Sequence, residues 1–301
     1  MCGIFALLNN KNNFSKSAIE KNFYKGADRG PESSSLVTIN NKTLLGFHRL
    51  AINGLDDNSD QPLTVNRVTL ICNGEIYNYK KLYQNLDITP KTNSDCEVII
   101  HLYLRYGIEQ TLRMLDGVFA FILYDRNDME LPVYIARDPY GVRSLYEVAF
   151  DINHNSNQGT KFFGFASEIK CLSEFYNSDQ NTDQNTDDGK YKLTNKTLQQ
   201  FIPGTFSKLY LNIDIAICDY EYEIKNKKYF MLPLSFELDS SIYTEQTILN
   251  TICDQLCTAV KKRVSTTERE VACLLSGGLD SSLITGIVCK FNPVVTEKVK
   301  T

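Results

Sequence analysis

The first half of the chain carries its hydrophobic residues in short runs. Cys2 to Leu8 is apolar throughout, with the length of a buried strand that would anchor the N-terminus inside a sheet. Ser15 to Tyr24 reads as a helix, and Arg29-Gly30-Pro31 as a turn. Leu44 to Ile52 and Val68 to Cys72 predict strands, the second running into Asn73-Gly74, a pair that favours positive φ and a tight turn. Asp95 to Tyr106 has Val98, Ile99, Leu102 and Tyr103 at helical spacing. Val118 to Tyr124, Val133 to Ala136 and Phe162 to Ala166 follow as strands. This strand-rich order with a few helices predicts layered sheets covered by helices, an α+β fold.

Two stretches break the pattern. Asp151 to Thr160 is polar, and Asn177 to Gly189 repeats Asp-Gln-Asn-Thr at 179–182 and 183–186, so both are expected as exposed loops. Leu211 to Tyr243 reads as a connector with a charged Lys225 to Lys228 patch. Thr244 then caps a helix whose Ile248, Ile252, Leu256 and Val260 share one face. A short apolar strand, Val271 to Leu275, leads into the turn Ser276-Gly277-Gly278-Leu279-Asp280-Ser281-Ser282 and a helix to Phe291. Strand, glycine-rich turn and helix in that order are the opening of an α/β nucleotide-binding domain.

Composition narrows the class. A chain of 301 residues has room for two domains, and 43% hydrophobic with 23% charged residues is ordinary for a globular protein. A net charge of -4 gives no electrostatic reason to expect nucleic acid or an anionic membrane as partner. The nine cysteines, at 2, 72, 96, 171, 218, 253, 257, 273 and 289, form no C-x-x-C pair and are expected as reduced thiols in a cytoplasmic protein. The opening residues lack the pattern of a signal peptide, and no apolar run approaches a membrane span.

Candidate chemistry starts at Met1-Cys2-Gly3. With the initiator methionine removed, Cys2 carries a thiol of pKa about 8.5 and an α-amine of about 7.7 to 8.0, so one residue supplies a nucleophile and its base. Arg49, a lone guanidinium in an apolar strand, needs an anion, either a substrate carboxylate or a structural carboxylate. Asn73-Gly74 offers a side-chain amide beside a flexible backbone N–H, the donors of an oxyanion hole, or else a plain turn. Glu75 and Asp95 could hold an ammonium group, although Asp95 is equally placed to cap its helix.

MCGIFAL, RGPES, GFHRLAI, QPL, CNGEIYN, LDGVFAF, ARDPYGVRSLY and SEIK stand in the order found in the class II glutamine amidotransferases, and the N-terminal part resembles that family. LLSGGLDSSL resembles the pyrophosphate-binding loop of the ATP pyrophosphatases. The two together are similar to the glutamine-hydrolysing asparagine synthetases, and the likeness extends over almost the whole chain. It implies a four-layer αββα N-terminal-nucleophile hydrolase sandwich at residues 2–210, a connector at 211–243, and the opening strand, loop and helix of a synthetase domain at 244–301.

The resemblance implies roles as well. Cys2 attacks the glutamine amide and releases ammonia from a glutamyl thioester that water hydrolyses, while Asn73 and the Gly74 N–H stabilise the oxyanion. Arg49 binds the substrate carboxylate, Glu75 and Asp95 its ammonium, and Leu50, Ala51, Ile52 and Asn53 line the pocket. Leu275, Ser276, Gly277, Gly278, Asp280 and Ser281 bind ATP, which with Mg2+ activates aspartate for attack by ammonia, giving asparagine, AMP and pyrophosphate. Glutamine hydrolysis needs no cofactor and no protein metal site. Glutamine, aspartate and ATP are the implied partners, with a homodimer the only assembly entertained.

The sequence departs from this pattern at Ser144, where the family usually has proline, and in ending before the rest of a synthetase domain. The expectation is therefore glutamine hydrolysis without asparagine synthesis. Other amidotransferases with phosphoribosyl or sugar-isomerase domains are disfavoured by SGGLDSS. The rival from another class is a catalytically silent or regulatory amidotransferase-like fragment. His48 beside Arg49 is expected to be structural, because an N-terminal thiol already has its base; Cys253 and Cys257, four apart on one helix, are expected in a core.

Overall fold

The computed structural model describes residues 1–11, 13–154, 157–178, 192–212, 219–231 and 244–291. It divides into two compact units, Met1–Ala51 with Asp56–Met231, and Ile52–Leu55 with Leu232–Thr301. The first contains β1 (Gly3–Leu8), α1 (Lys16–Tyr24), β2 (Ser33–Asn40), β3 (Thr43–Arg49), β4 (Leu63–Val65), β5 (Val68–Ile76), α2 (Tyr79–Leu86), α3 (Val98–Met114), β6 (Gly117–Asp125) and β7 (Val133–Arg137). It continues with β8 (Tyr146–His154), β9 (Asn157–Ala166), α4 (Ser173–Asn177), β10 (Lys192–Gln200), β11 (Thr205–Asn212) and β12 (Asp219–Lys228).

These strands form two antiparallel six-stranded sheets, ordered β10-β8-β9-β1-β3-β2 and β12-β11-β7-β6-β5-β4. Side-chain alternation along β1 explains its unbroken apolar run. Ile4, Ala6 and Leu8 join Phe47, Ile71, Ile122, Ile135 and Phe165 in a core between the sheets. Phe5 and Leu7 face the other way, packing with Ile19 and Phe23 of α1 and Phe175 of α4. On the far face of the second sheet, Cys72, Ile76 and Phe119 pack against Leu82 of α2 and Ile99 and Leu102 of α3. Three apolar layers therefore separate helix, sheet, sheet and helix, as the four-layer αββα expectation requires.

Local signals explain several elements. Ser15 caps α1 by accepting from the Ala18 N–H. Arg137 is wholly buried yet satisfied, donating to the carbonyls of Gly141, Arg143 and Phe201 at 2.6 to 2.7 Å.

Several expectations need correction. Asn73-Gly74 is not a turn: both residues lie inside β5, opposite Ala120 and Phe119. Gly74 is required by close approach, since an added Cβ would sit 2.8 Å from Val118 O and 2.9 Å from Phe119 Cβ. Asp151–His154 and Asn157–Thr160 extend a β8–β9 hairpin, with Ile152 fully buried, so polar neighbours concealed a strand. Residues 219–228 form β12, where Tyr220 is buried and Tyr222 and Ile224 face inward between charged residues; the connector reading missed this alternation. Most of Asn177 to Gly189 lies outside the described residues. The helix at Asp95 begins as a 3-10 turn, Asp95–Glu97, and continues through a break at Gly107 to Met114.

The second unit has α5 (Glu245–Thr266), capped by Thr244 accepting from the Thr247 N–H, and α6 (Leu279–Phe291), which pack on each other. The strand expected at Val271 to Leu275 is not formed; Leu274 is 96% exposed. Strand geometry needs a hydrogen-bonded neighbour, and among the described residues none is paired with this segment. Cys253 is exposed and Cys257 half-buried, so the core expected for them is absent among the described residues. The eight cysteines described are all free thiols, and Cys218 lies outside the described residues.

Candidate active site at the chain N-terminus

Cys2 stands at the head of β1, on the side chain face that continues into the core between the sheets. Its thiol donates to Leu50 O at 3.3 Å and accepts from the Leu50 N–H at 3.4 Å, just beyond β3. The Arg29 Nε donates to Cys2 O at 2.8 Å, fixing the peptide that precedes β1. Burial pushes the Cys2 thiol up, against opposing pulls from the Leu50 N–H, the α-amine of Met1 and Arg143. The Met1 α-amine is lowered, by burial first, with Arg29 and Arg143 adding to the effect. In the unprocessed chain the thiol is thus held neutral and the amine belongs to the wrong residue. Removing Met1 would put the α-amine on Cys2 itself.

Across the inner layer, β5 contacts β1. Asn73 and Glu75 alternate with Cys72, Gly74 and Ile76, so their side chains leave the opposite face from the one packed on α2 and α3. Asn73 is 1% exposed and its Nδ2 has no hydrogen-bond partner. Unpaired buried amide donors cost roughly 1–3 kcal/mol, so one retained here is equipped to meet a transient acceptor. Phe119 uses both its backbone groups on Asp138, accepting from its N–H at 2.7 Å and donating to Oδ2 at 3.3 Å. In an antiparallel pair that turns the backbone groups of Gly74, opposite Phe119, away from β6. The same edge bears the Cys72 N–H on Gln61 Oε1 and the Ile76 N–H on Asp95 Oδ2, both at 2.6 Å.

Arg49 is buried, with Nη1 2.5 Å from Asp60 Oδ1 and Nη2 donating to Asp56 O at 2.9 Å. The structural ion pair left open by the sequence is therefore made. Asp60 keeps 43% of its side chain exposed. Glu75 pairs with Arg143 Nη2 at 2.6 Å. Asp95 does not cap its helix: Ser94 Oγ accepts the Cys96 N–H at 3.3 Å, leaving the Asp95 carboxylate on Ile76. Ala51 and Asn53 are buried and Ile52 half-buried.

Two residues at this site carried motif signals without an assigned role. Arg29 lies in RGPES and Arg143 in ARDPYGVRSLY; their positions beside Cys2 depend on chain crossings that spacing does not encode. Ser144, the departure from proline, donates its hydroxyl to Ser167 O at 2.7 Å, and Ser167 Oγ accepts the Ile4 N–H at 3.0 Å. His48 is stacked on Phe23 at 4.0 Å with both ring nitrogens engaged, by Phe23 O and Ser34 Oγ, so it has no nitrogen left for Cys2.

In the second unit, Gly277 has φ +81°, which suits glycine, and α6 starts two residues later. Ser276 Oγ and Ser281 Oγ are 3.0 Å apart, and Ser282 Oγ donates to Gly278 O at 2.8 Å. Leu275, Ser276, Gly277, Gly278 and Asp280 are thus exposed, and Ser281 half-buried, in a turn at a helix N-terminus. Among the described residues no group of three His, Cys, Asp or Glu side chains converges on one point, and Asp280 is the sole carboxylate of this turn.

A two-sheet αββα sandwich with a thiol at the head of an inner strand is the architecture of an N-terminal-nucleophile amidotransferase. The glutamine amidotransferase domain profile matches residues 1–212, and the chain belongs to that family. The asparagine synthase profile matches residues 251–301. The chain is 36% identical to the asparagine synthetase [glutamine-hydrolyzing] of Gallus gallus and 34% identical to that of Homo sapiens, each over 96% of this chain and 48% of the relative. It spans about half the length of the curated relatives it matches. A solved glutamine phosphoribosylpyrophosphate amidotransferase from B. subtilis shares the fold, with TM-score 0.51 and 19% identity over 77% of this chain and 50% of that one.

Proposed function

We propose that this chain hydrolyses the side-chain amide of glutamine, with Cys2 as nucleophile. After loss of Met1, the Cys2 α-amine takes the thiol proton and the thiolate attacks the amide carbon. Asn73 Nδ2 and the Gly74 N–H receive the oxyanion, ammonia leaves, and water releases glutamate from the thioester. Arg49 exchanges Asp60 for the substrate carboxylate, Glu75 and Asp95 take the ammonium, and Leu50, Ala51, Ile52 and Asn53 line the pocket. The observation that carries this reading is the buried, unpartnered Asn73 amide on the strand that faces β1.

The second part of the proposal is that residues 244–301 begin a domain that uses the ammonia. The boundaries proposed are 2–231 for the glutaminase, because β12 pairs with β11 in its second sheet, and 244–301 for the synthetase portion. Leu275, Ser276, Gly277, Gly278, Asp280 and Ser281 would hold ATP phosphate through backbone N–H groups and hydroxyls at the start of α6. Similarity to asparagine synthetases supports aspartate as acceptor, with asparagine, AMP and pyrophosphate as products. The donor set of the turn does not amount to a magnesium site, so no step is assigned to that ion. The chain's span of about half the length of its curated relatives supports the reading that these 301 residues perform glutamine hydrolysis alone. A cytoplasmic location and a homodimer belong to the same proposal.

Incubation with glutamine alone, and then with aspartate, ATP and Mg2+, tests both parts. Glutamate and ammonia are expected without asparagine. Asparagine and AMP from these 301 residues would refute the reading that they perform glutamine hydrolysis alone. No glutamate from a chain lacking Met1 would favour the silent fragment.

A further inference from the structure

The loop between β7 and β8 delivers one side chain to the N-terminus and is built so that it cannot deliver it elsewhere. The Asp138 carboxylate accepts the N–H groups of Tyr140, Val142 and Arg143 at 3.0 to 3.1 Å. Buried Arg137 clamps the same loop through the carbonyls of Gly141 and Arg143 at 2.7 Å. Gly141 has φ +64°, and a Cβ there would lie 2.9 Å from the Arg137 guanidinium, so only glycine permits the closure.

The guanidinium so held is Arg143, 6% exposed. Nη2 is on Glu75 at 2.6 Å, Nη1 donates to the thioether of Met1, and Nε has no partner although buried. A thioether is a weak acceptor. Burying a guanidinium with one carboxylate, one sulfur and one idle N–H is expensive if the ion pair were its whole purpose. The arrangement leaves positive charge and spare donors at the position of the first residue.

We infer that Arg143 is a positioning residue for the nucleophile: it orients Glu75 toward the substrate ammonium and sets a fixed positive charge beside the thiol and amine of Cys2. This rests on the glutaminase reading. The other charged or titratable groups around Cys2 are Arg29, which is paired with Glu168 at 3.4 Å, together with Glu75 and the thiols of Cys72 and Cys96. Arg29 has its own carboxylate and is tied to the Cys2 carbonyl, so Arg143 is the cation whose neutraliser, Glu75, is also the group offered to substrate.

The test follows the pH dependence of kcat/KM for glutamine hydrolysis, and separately of Cys2 alkylation by iodoacetamide read by peptide mass. In Arg143→Met the acid limb of both profiles should move up by roughly half to one pH unit. Arg143→Lys should keep the limb in place while KM rises severalfold, because an ammonium cannot reproduce the guanidinium fork. Glu75→Gln, which leaves Arg143 uncompensated, should move the alkylation limb down. Superimposable limbs with only a lower kcat would make Arg143 a structural residue and overturn the inference; if Arg143→Met does not fold, an unmoved limb in Glu75→Gln does the same. A wild-type chain that alkylates at Cys2 but releases no glutamate would sink the glutaminase reading, while the alkylation limbs would still decide the role of Arg143.

Discussion

Gly74 and Phe119 face each other across the β5–β6 pairing so closely that a methyl group on Gly74 would lie 2.9 Å from Phe119 Cβ and 2.8 Å from Val118 O. Neither contact is with a flexible side-chain end, so β5 or β6 would have to move. Gly74→Ala should cost about 1–3 kcal/mol in denaturant unfolding and displace Asn73 with it. Glutamine hydrolysis should fall by more than the loss of folded protein explains. A variant with wild-type stability would contradict the close approach.

Asn73 separates stability from chemistry in the opposite sense. Its Nδ2 has no partner in the folded chain, so replacing the amide removes a buried unsatisfied group. Asn73→Leu should therefore leave the melting temperature unchanged or raised while kcat for glutamine drops by about 10² to 10³. Alkylation of Cys2 should persist. Clear destabilisation with unchanged kcat would show that the amide is structural.

Acid stability should depend on Glu97, beneath α3. Burial works to raise its pKa, but hydrogen bonds from His101, from Thr92 and from the Lys91 N–H outweigh it and bring the carboxyl from an ordinary 4.5 to about 2. Because the folded value lies below the unfolded one, the stabilisation is complete above about pH 4.5 and is lost as pH falls toward 2. Glu97→Gln should be less stable than wild type at pH 6, and the two melting curves should converge as pH approaches 2. A gap that stays constant over that range would contradict the assignment.

Much of this fold was legible because its strands are buried on one or both faces. GIFALL in β1 and VFAFILY in β6 could hardly be anything else. β12 was missed because Tyr220, Tyr222 and Ile224 alternate with charged neighbours at a sheet edge, and Val271 to Leu275 was overread because strand character needs a neighbour that pattern cannot supply. At the site, residue types announced Cys2, Arg49, Asn73 and Asp95. Their partners were not announced: Asp60 on Arg49, Arg143 on Glu75 and Arg29 on Cys2 are meetings of distant segments. Asn73-Gly74 shows the limit most plainly, since the pair that favours a turn is used in mid-strand, where glycine admits a neighbouring strand rather than a positive φ.

The central claim is that Cys2, as the first residue, is the nucleophile. Its most direct test is the mass of the N-terminal peptide after exposure to the glutamine-like electrophile 6-diazo-5-oxonorleucine. The expected result is a peptide beginning at Cys2, carrying one adduct on its sulfur, with glutaminase activity lost in proportion to labelling. A retained Met1, or unlabelled Cys2 in a chain that still releases glutamate, would contradict the account.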